Sequence, residues 1–158
     1  MREKGKNMDN DTKKTFFFAL KEIWHMMNSQ FYFYAKEVGV KFTTVIVLQF
    51  LYEATEVYTQ KDLCEKLGLP KQLVNAIIKS FWEQDFVILK ETKDRRSKNI
   101  IVTDKGKEYA LSVLKPLNDA EAFAWESFTD EELTAFVQTL EKYAASFEAA
   151  FERVTEKT

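Results

Sequence analysis

The sequence predicts a mainly α-helical fold carrying one small β-hairpin, and three patterns predict it. Two long stretches, one near each end of the chain, repeat apolar side chains at steps of three and four, the spacing of a helix face. Between them, two short helical segments are joined by a turn containing Gly68 and Pro70. Directly afterwards, two β-prone runs flank a charged stretch, the pattern of a hairpin. At 158 residues, with 46% hydrophobic and 15% aromatic side chains, the chain can bury one sizeable core but is short for two independent domains. One compact subunit is the expectation.

Taken in order, the first ~12 residues are rich in Lys, Asp, Asn and Gly, bury no apolar area and read as a loose tail. Phe16, Leu20, Ile23, Met27, Phe31, Tyr34 and Val38 then share one face of a long helix. Phe17, Phe18, Trp24, Tyr32 and Phe33 add apolar surface around the rest of its circumference, so this helix needs cover on several sides, which a second subunit would supply. After a break near Gly39, a helix is expected over Thr43 to Ala54, with Val45, Leu48, Leu51 and Tyr52 facing a core, and then a brief strand at Glu56-Val57-Tyr58.

The Thr59 hydroxyl is placed to cap the next helix, and Asp62 falls in its first turn near the positive end of the dipole. Leu63 and Leu67 face inward and Gly68 ends that helix; Pro70 pre-sets the entry to a further helix reaching about Gln84, with Val74, Ile77, Ile78 and Phe81 as its buried stripe. Phe86 to Leu89 and Ile100 to Val102 make the hairpin around the charged stretch Lys90 to Asn99. Thr103 caps a helix from Asp104 to Lys115, which Pro116 should end or kink. Thr129 and Glu132 have capping-box spacing and open a last helix, with Leu133, Phe136, Val137, Leu140, Tyr143, Phe147 and Phe151 on one stripe.

Composition narrows the functional classes. The only cysteine, Cys64, excludes an intramolecular disulfide, and the only histidine, His25, leaves no set of imidazoles for a metal site. No Ser/His/Asp set and no phosphate-binding glycine loop can be assembled, so neither catalysis, a cofactor nor a metal is expected. The longest apolar runs are far below the ~20 residues that cross a bilayer, and the charged N-terminal stretch does not read as a secretory signal. A cytoplasmic protein without a membrane partner follows as the expectation.

The net charge of -2 conceals a strong asymmetry. Residues 1–59 carry 8 Lys/Arg against 7 Asp/Glu, residues 60–107 carry 11 against 7, and residues 108–158 carry 4 against 11. A basic middle beside an acidic end suits a protein that meets phosphates with part of its surface. The middle is also where two short helices, a Gly-containing turn and a two-stranded wing follow one another, the arrangement of a winged helix-turn-helix that presents a helix to the major groove. On that helix Lys71, Gln72, Leu73, Asn75, Ala76 and Lys79 lie outward or near its leading end. Gln72 and Asn75 suit bidentate contacts to adenine, Leu73 a thymine methyl, and Lys71 and Lys79 phosphate or guanine. Lys93, Asp94, Arg95, Arg96 and Lys98 form the tip of the wing, where a guanidinium on a thin hairpin can enter a narrow A·T-rich minor groove.

From Tyr58 through Gly106 the sequence resembles the MarR family of winged-helix regulators. The matching pieces are Thr59-Gln60-Lys61-Asp62-Leu63-Cys64-Glu65-Lys66-Leu67-Gly68-Leu69, then Asp94-Arg95-Arg96-Ser97-Lys98, then Thr103-Asp104-Lys105-Gly106, and the spacing of the flanking helices extends the likeness over nearly the whole chain. The resemblance implies a homodimer on double-stranded DNA, with dimerisation helices at residues 12–40 and 104–153 around a winged-helix module at 42–103. It also implies that Arg96 reaches the minor groove or its phosphates while Asp94 helps to hold it, Ile100 completing the wing signature. The chain departs from the family in its recognition helix: Pro70 stands where relatives usually have serine, Gln72 and Leu73 replace small hydroxyl residues, and Ala76 and Ser80 stand where arginines are frequent.

Relatives of this kind commonly take small aromatic or amphiphilic effectors beside the dimerisation helices, and Trp24, His25, Asn28 and Tyr32 put aromatic and polar groups on the helix that would border such a pocket. The alternative reading is a winged helix used for protein contact or dimerisation without DNA. The wing arginines favour DNA.

Overall fold

In the structure, a computed structural model, residues 9–91 and 97–155 are described. The chain divides into two compact units, Met1–Lys115 and Pro116–Thr158. The first contains α1 (Asn10–Glu37), α2 (Phe42–Tyr52), β1 (Tyr58–Thr59), α3 (Gln60–Leu67), α4 (Lys71–Glu83), β2 (Val87–Glu91) and β3 (Lys98–Val102). Helix α5 (Asp104–Trp125) carries the chain from the first unit into the second, which ends with α6 (Asp130–Thr155).

Helix α1 starts two residues earlier than the polar composition of the terminus suggests, because the Asp9 carboxylate accepts the backbone N–H groups of Asp11 and Thr12 and so caps it. Those hydrogen bonds also hold the Asp9 pKa below its usual value. Gly39, at φ 71°, turns the chain into α2, whose Val45, Val47, Leu48 and Leu51 are buried. The brief strand lies at Tyr58–Thr59 rather than Glu56 to Tyr58, and it does more than bridge two helices. It pairs with β3 (Tyr58↔Ile100, Thr59↔Asn99), turning the expected hairpin into a three-stranded antiparallel sheet of order β1-β3-β2. Strands β2 and β3 pair from Val87↔Val102 to Glu91↔Lys98.

The core of the first unit forms where α2, α3, α4, the sheet and the first half of α5 meet. Leu63, Val74 and Ile78 are fully enclosed, with Phe81, Val87, Ile100 and Leu114 buried beside them. The buried positions of α4 are Val74, Ile77, Ile78 and Phe81, the stripe its period predicts. Tyr34 of α1 donates its hydroxyl to the Val113 carbonyl of α5, tying the long first helix to this body.

One corner joins α4, the sheet and α5. Asp85 adopts a left-handed conformation (φ 61°) just beyond α4, and the Phe86 carbonyl then accepts the Thr103 N–H at 3.0 Å. The Thr103 hydroxyl donates to the Asp85 carbonyl at 2.7 Å and accepts the Gly106 N–H at 3.0 Å, so it caps α5 and holds the base of the hairpin at once. A Cβ on Gly106 would lie 2.0 Å from the Phe86 carbonyl oxygen, so only glycine allows this approach. The Phe86 ring stacks on Tyr109, 4.3 Å between centroids, and burial raises the Tyr109 pKa.

Pro116 does not end α5, which continues to Trp125. A proline there removes one backbone donor, yet Val113, Leu114 and Leu117 on either side are buried, and that packing favours an unbroken helix over the local penalty. In the second unit the expected capping box opens α6: the Glu132 carboxylate accepts the Thr129 N–H at 2.9 Å, and the Thr129 hydroxyl accepts the Glu132 N–H at 3.3 Å. Trp125 packs against Phe128 and Phe136.

Candidate DNA interface

Helix α3 is braced at its start by a full capping box. The Thr59 N–H donates to the Asp62 carboxylate at 2.7 Å, and the Asp62 N–H returns to the Thr59 hydroxyl at 3.3 Å. Those hydrogen bonds from Thr59 lower the Asp62 pKa, with smaller help from Lys61 and Lys66. At the other end Gly68 takes the left-handed conformation (φ 62°), and Pro70 enters α4 at φ -58° without a side-chain cap. Leu63 of α3 and Val74 and Ile78 of α4 are enclosed, so the two helices form a rigid pair. What α4 leaves outside is fixed by what it buries.

That outer face carries Lys71, Gln72, Ala76 and Lys79, all exposed, with Leu73 half-buried beside them. Lys79 lies 3.6 Å from Glu83 one turn on, and Lys61 is similarly placed at 3.6 Å from Glu65 on α3. Such solvent-exposed pairs contribute about 0.5 kcal/mol or less, so either lysine can leave its partner for a phosphate. Lys71 makes no ion pair with another described residue, and Lys90 and Lys98 are exposed on the two hairpin strands. Lys93, Asp94, Arg95 and Arg96, the other residues of the expected wing tip, lie outside the described residues.

Asn75 is placed differently from its neighbours. Its side-chain Oδ1 is buried without a hydrogen-bond partner, so one end of the carboxamide is withdrawn from the outer face. Periodicity alone puts position 75 at the margin of the buried stripe, and nothing in the sequence says which way its amide turns.

The four residues singled out as a ligand border lie along α1, with Trp24, His25 and Tyr32 exposed and Asn28 half-buried. They belong to a broad apolar surface that also includes Phe16, Phe18, Met26 and Phe33. Helix α6 has no buried residue, and its stripe Phe136, Val137, Leu140, Tyr143, Phe147 and Phe151 is 40–57% exposed. The structure also holds an open groove of about 450 Å³ where the end of α2, β1, β3 and the start of α5 meet, lined by Tyr52, Val57, Tyr58, Ile101 and Lys107 among others. No pattern in the sequence points to that groove, because its walls come from four separated segments. Among the described residues no group of three or more His, Cys, Asp or Glu side chains is placed to hold a metal ion, and no helix is long and apolar enough to cross a membrane.

The model of the MarR family matches residues 38–97. No curated protein matches the chain by sequence. Among solved structures, a MarR family regulator from Neisseria meningitidis is 23% identical with a TM-score of 0.67, covering 92% of this chain and 99% of its own. A MarR family transcriptional regulator from Listeria monocytogenes, complexed with 26mer DNA, is 18% identical with a TM-score of 0.67, covering 89% of this chain and 93% of its own. CouR from Rhodococcus jostii, bound to p-coumaroyl-CoA, is 19% identical with a TM-score of 0.63, covering 82% of this chain and 91% of its own. Over residues 38–97 the chain is thus similar to the MarR family, and its fold is that of the MarR-family structures.

Proposed function

We propose that this chain is a sequence-specific DNA-binding transcriptional regulator, a homodimer that represses from a pseudo-palindromic operator and is released by a small aromatic or amphiphilic ligand. The observation that carries the reading is the outer face of α4, where Lys71, Gln72 and Lys79 stand exposed on a rigid helix pair within the MarR-matching segment. A protein of the same fold is complexed with DNA. In this reading α4 enters the major groove, its lysines neutralise phosphates, and Lys93, Arg95, Arg96 and Lys98 bring the wing against the adjoining minor groove with Asp94 steadying Arg96.

Residues 12–40 and 104–153 serve as dimerisation helices and residues 42–103 as the DNA-binding module. The exposed apolar faces of α1 and α6 support the second copy, since surfaces of this size seldom stay open to water. Two copies of α4 set about one helical turn apart call for a two-fold related operator. Trp24, His25, Asn28 and Tyr32 border the effector site, in keeping with the ligand bound by CouR. Release requires the ligand to bind the dimer geometry unsuited to DNA more tightly than the suited one.

The test is footprinting on a duplex selected by the protein from random sequence. Two protected major-groove segments about one turn apart, flanked by minor-groove protection, are expected. A selected duplex with one isolated footprint would contradict the dimeric reading. Failure to select any duplex would contradict DNA binding and leave protein contact as the role of the winged helix.

A further inference from the structure

We infer that base discrimination by α4 is concentrated in Gln72 and Ala76, which read an adenine and a thymine about one base pair apart in each half-site, and that Asn75 reads nothing. The inference rests on the DNA-binding reading above and assigns its specificity. Two residues of α4's first two turns carry carboxamides, the group that donates to adenine N6 and accepts at N7 in one bidentate contact. That contact needs both ends of the amide free. Gln72 is exposed, whereas Asn75 has its Oδ1 buried. Exchanging the oxygen and nitrogen of Asn75 would not change this, because one end remains inside either way.

Two other polar side chains of the face, those of Lys79 and Ser80, have local partners. Lys79 is paired with Glu83 at 3.6 Å, and the Ser80 hydroxyl accepts the Gln84 amide at 3.1 Å. Lys71 carries a flexible point charge that suits phosphate, or guanine O6 and N7, and so cannot read adenine or thymine. Ala76 lies one turn beyond Gln72 on the same face and is exposed. Its methyl suits contact with a thymine 5-methyl, and its small size lets the helix approach the floor of the groove. Four residues advance a helix by about 6 Å. On a helix lying in the major groove, side chains three to four residues apart meet successive base pairs, so the two contacts fall about one step apart.

The experiment selects duplexes from a random pool with the full-length chain and with the variants Gln72→Ala, Asn75→Ala and Asn75→Ser, each checked for helical content by circular dichroism. Wild-type sites should share an adenine in each half-site and a thymine about one pair away. Replacing that thymine by uracil, which lacks only the methyl, should weaken wild-type binding. Gln72→Ala should lose the adenine preference by about tenfold while keeping the thymine and its binding to unselected DNA. Either Asn75 variant, folded, should select the wild-type sites. Adenine preference unchanged in Gln72→Ala, or a preference shifted by a folded Asn75 variant, overturns this assignment and leaves DNA binding standing. A wild-type chain that enriches no duplex overturns both.

Discussion

Gly106 sits where no side chain fits, with the Phe86 carbonyl oxygen 2.0 Å from the place a Cβ would occupy. The same carbonyl accepts the Thr103 N–H, so it cannot move aside without releasing the base of the hairpin from the start of α5. Gly106→Ala should therefore destabilise the fold by about 1–3 kcal/mol or more, read as a lower denaturant midpoint. A second residue-scale prediction concerns acid. Asp62 accepts the backbone N–H and hydroxyl of Thr59, which depresses its folded pKa below the ordinary 3.8. Its contribution to stability is complete above the unfolded value and is lost as pH falls through the folded one. Thr59→Ala should cost about 1 kcal/mol near neutral pH and flatten the decline of stability below about pH 4. A chemical-denaturation series against pH, run on both proteins, measures it; parallel curves would remove the Thr59 hydroxyl as a cause of the acid dependence.

At the scale of elements, the features set by neighbours in sequence are the ones legible beforehand. Thr59 with Asp62, Thr129 with Glu132, Gly68 and the apolar period of α4 each act within a few residues, so their helices could be placed within one or two positions. The features that were not legible depend on distant contacts. Helix α5 passes through Pro116, with buried side chains on both sides, and the brief strand the sequence suggests pairs with β3 as the third strand of a sheet. In the candidate interface the lysines and Gln72 were foreseeable, whereas the buried amide of Asn75 depends on a packing environment that one helix period does not specify. The wing yields the element-scale prediction. Arg96→Ala should leave the thermal midpoint unchanged within about 0.5 kcal/mol of stability. If its guanidinium meets a phosphate, affinity should fall evenly on all sequences and the salt slope should shrink by about one unit. If it enters the minor groove, the loss should be larger on A·T-rich sites. Unchanged affinity on every site would remove the wing as a DNA contact.

At the scale of the whole molecule, the charge is unevenly divided along the chain, and exposed apolar faces lie on α1 and α6. The basic segment at 60–107 holds the helix pair and wing, and the acidic segment at 108–158 holds α6, whose apolar stripe is uncovered within one chain. Sedimentation at micromolar concentration should give twice the 18.5 kDa chain mass, and Phe147→Asp should lower it towards the monomer; a wild-type monomer would contradict the dimer.

The central claim, that a protein of net charge -2 binds duplex DNA through one basic face, is tested most directly by fluorescence anisotropy of the full-length chain on a selected duplex across a salt series. Specific binding should weaken steeply with salt, by about 10³-fold or more between 50 and 200 mM if at least about six phosphates are neutralised. Absent binding, or an affinity indifferent to salt, would contradict the account.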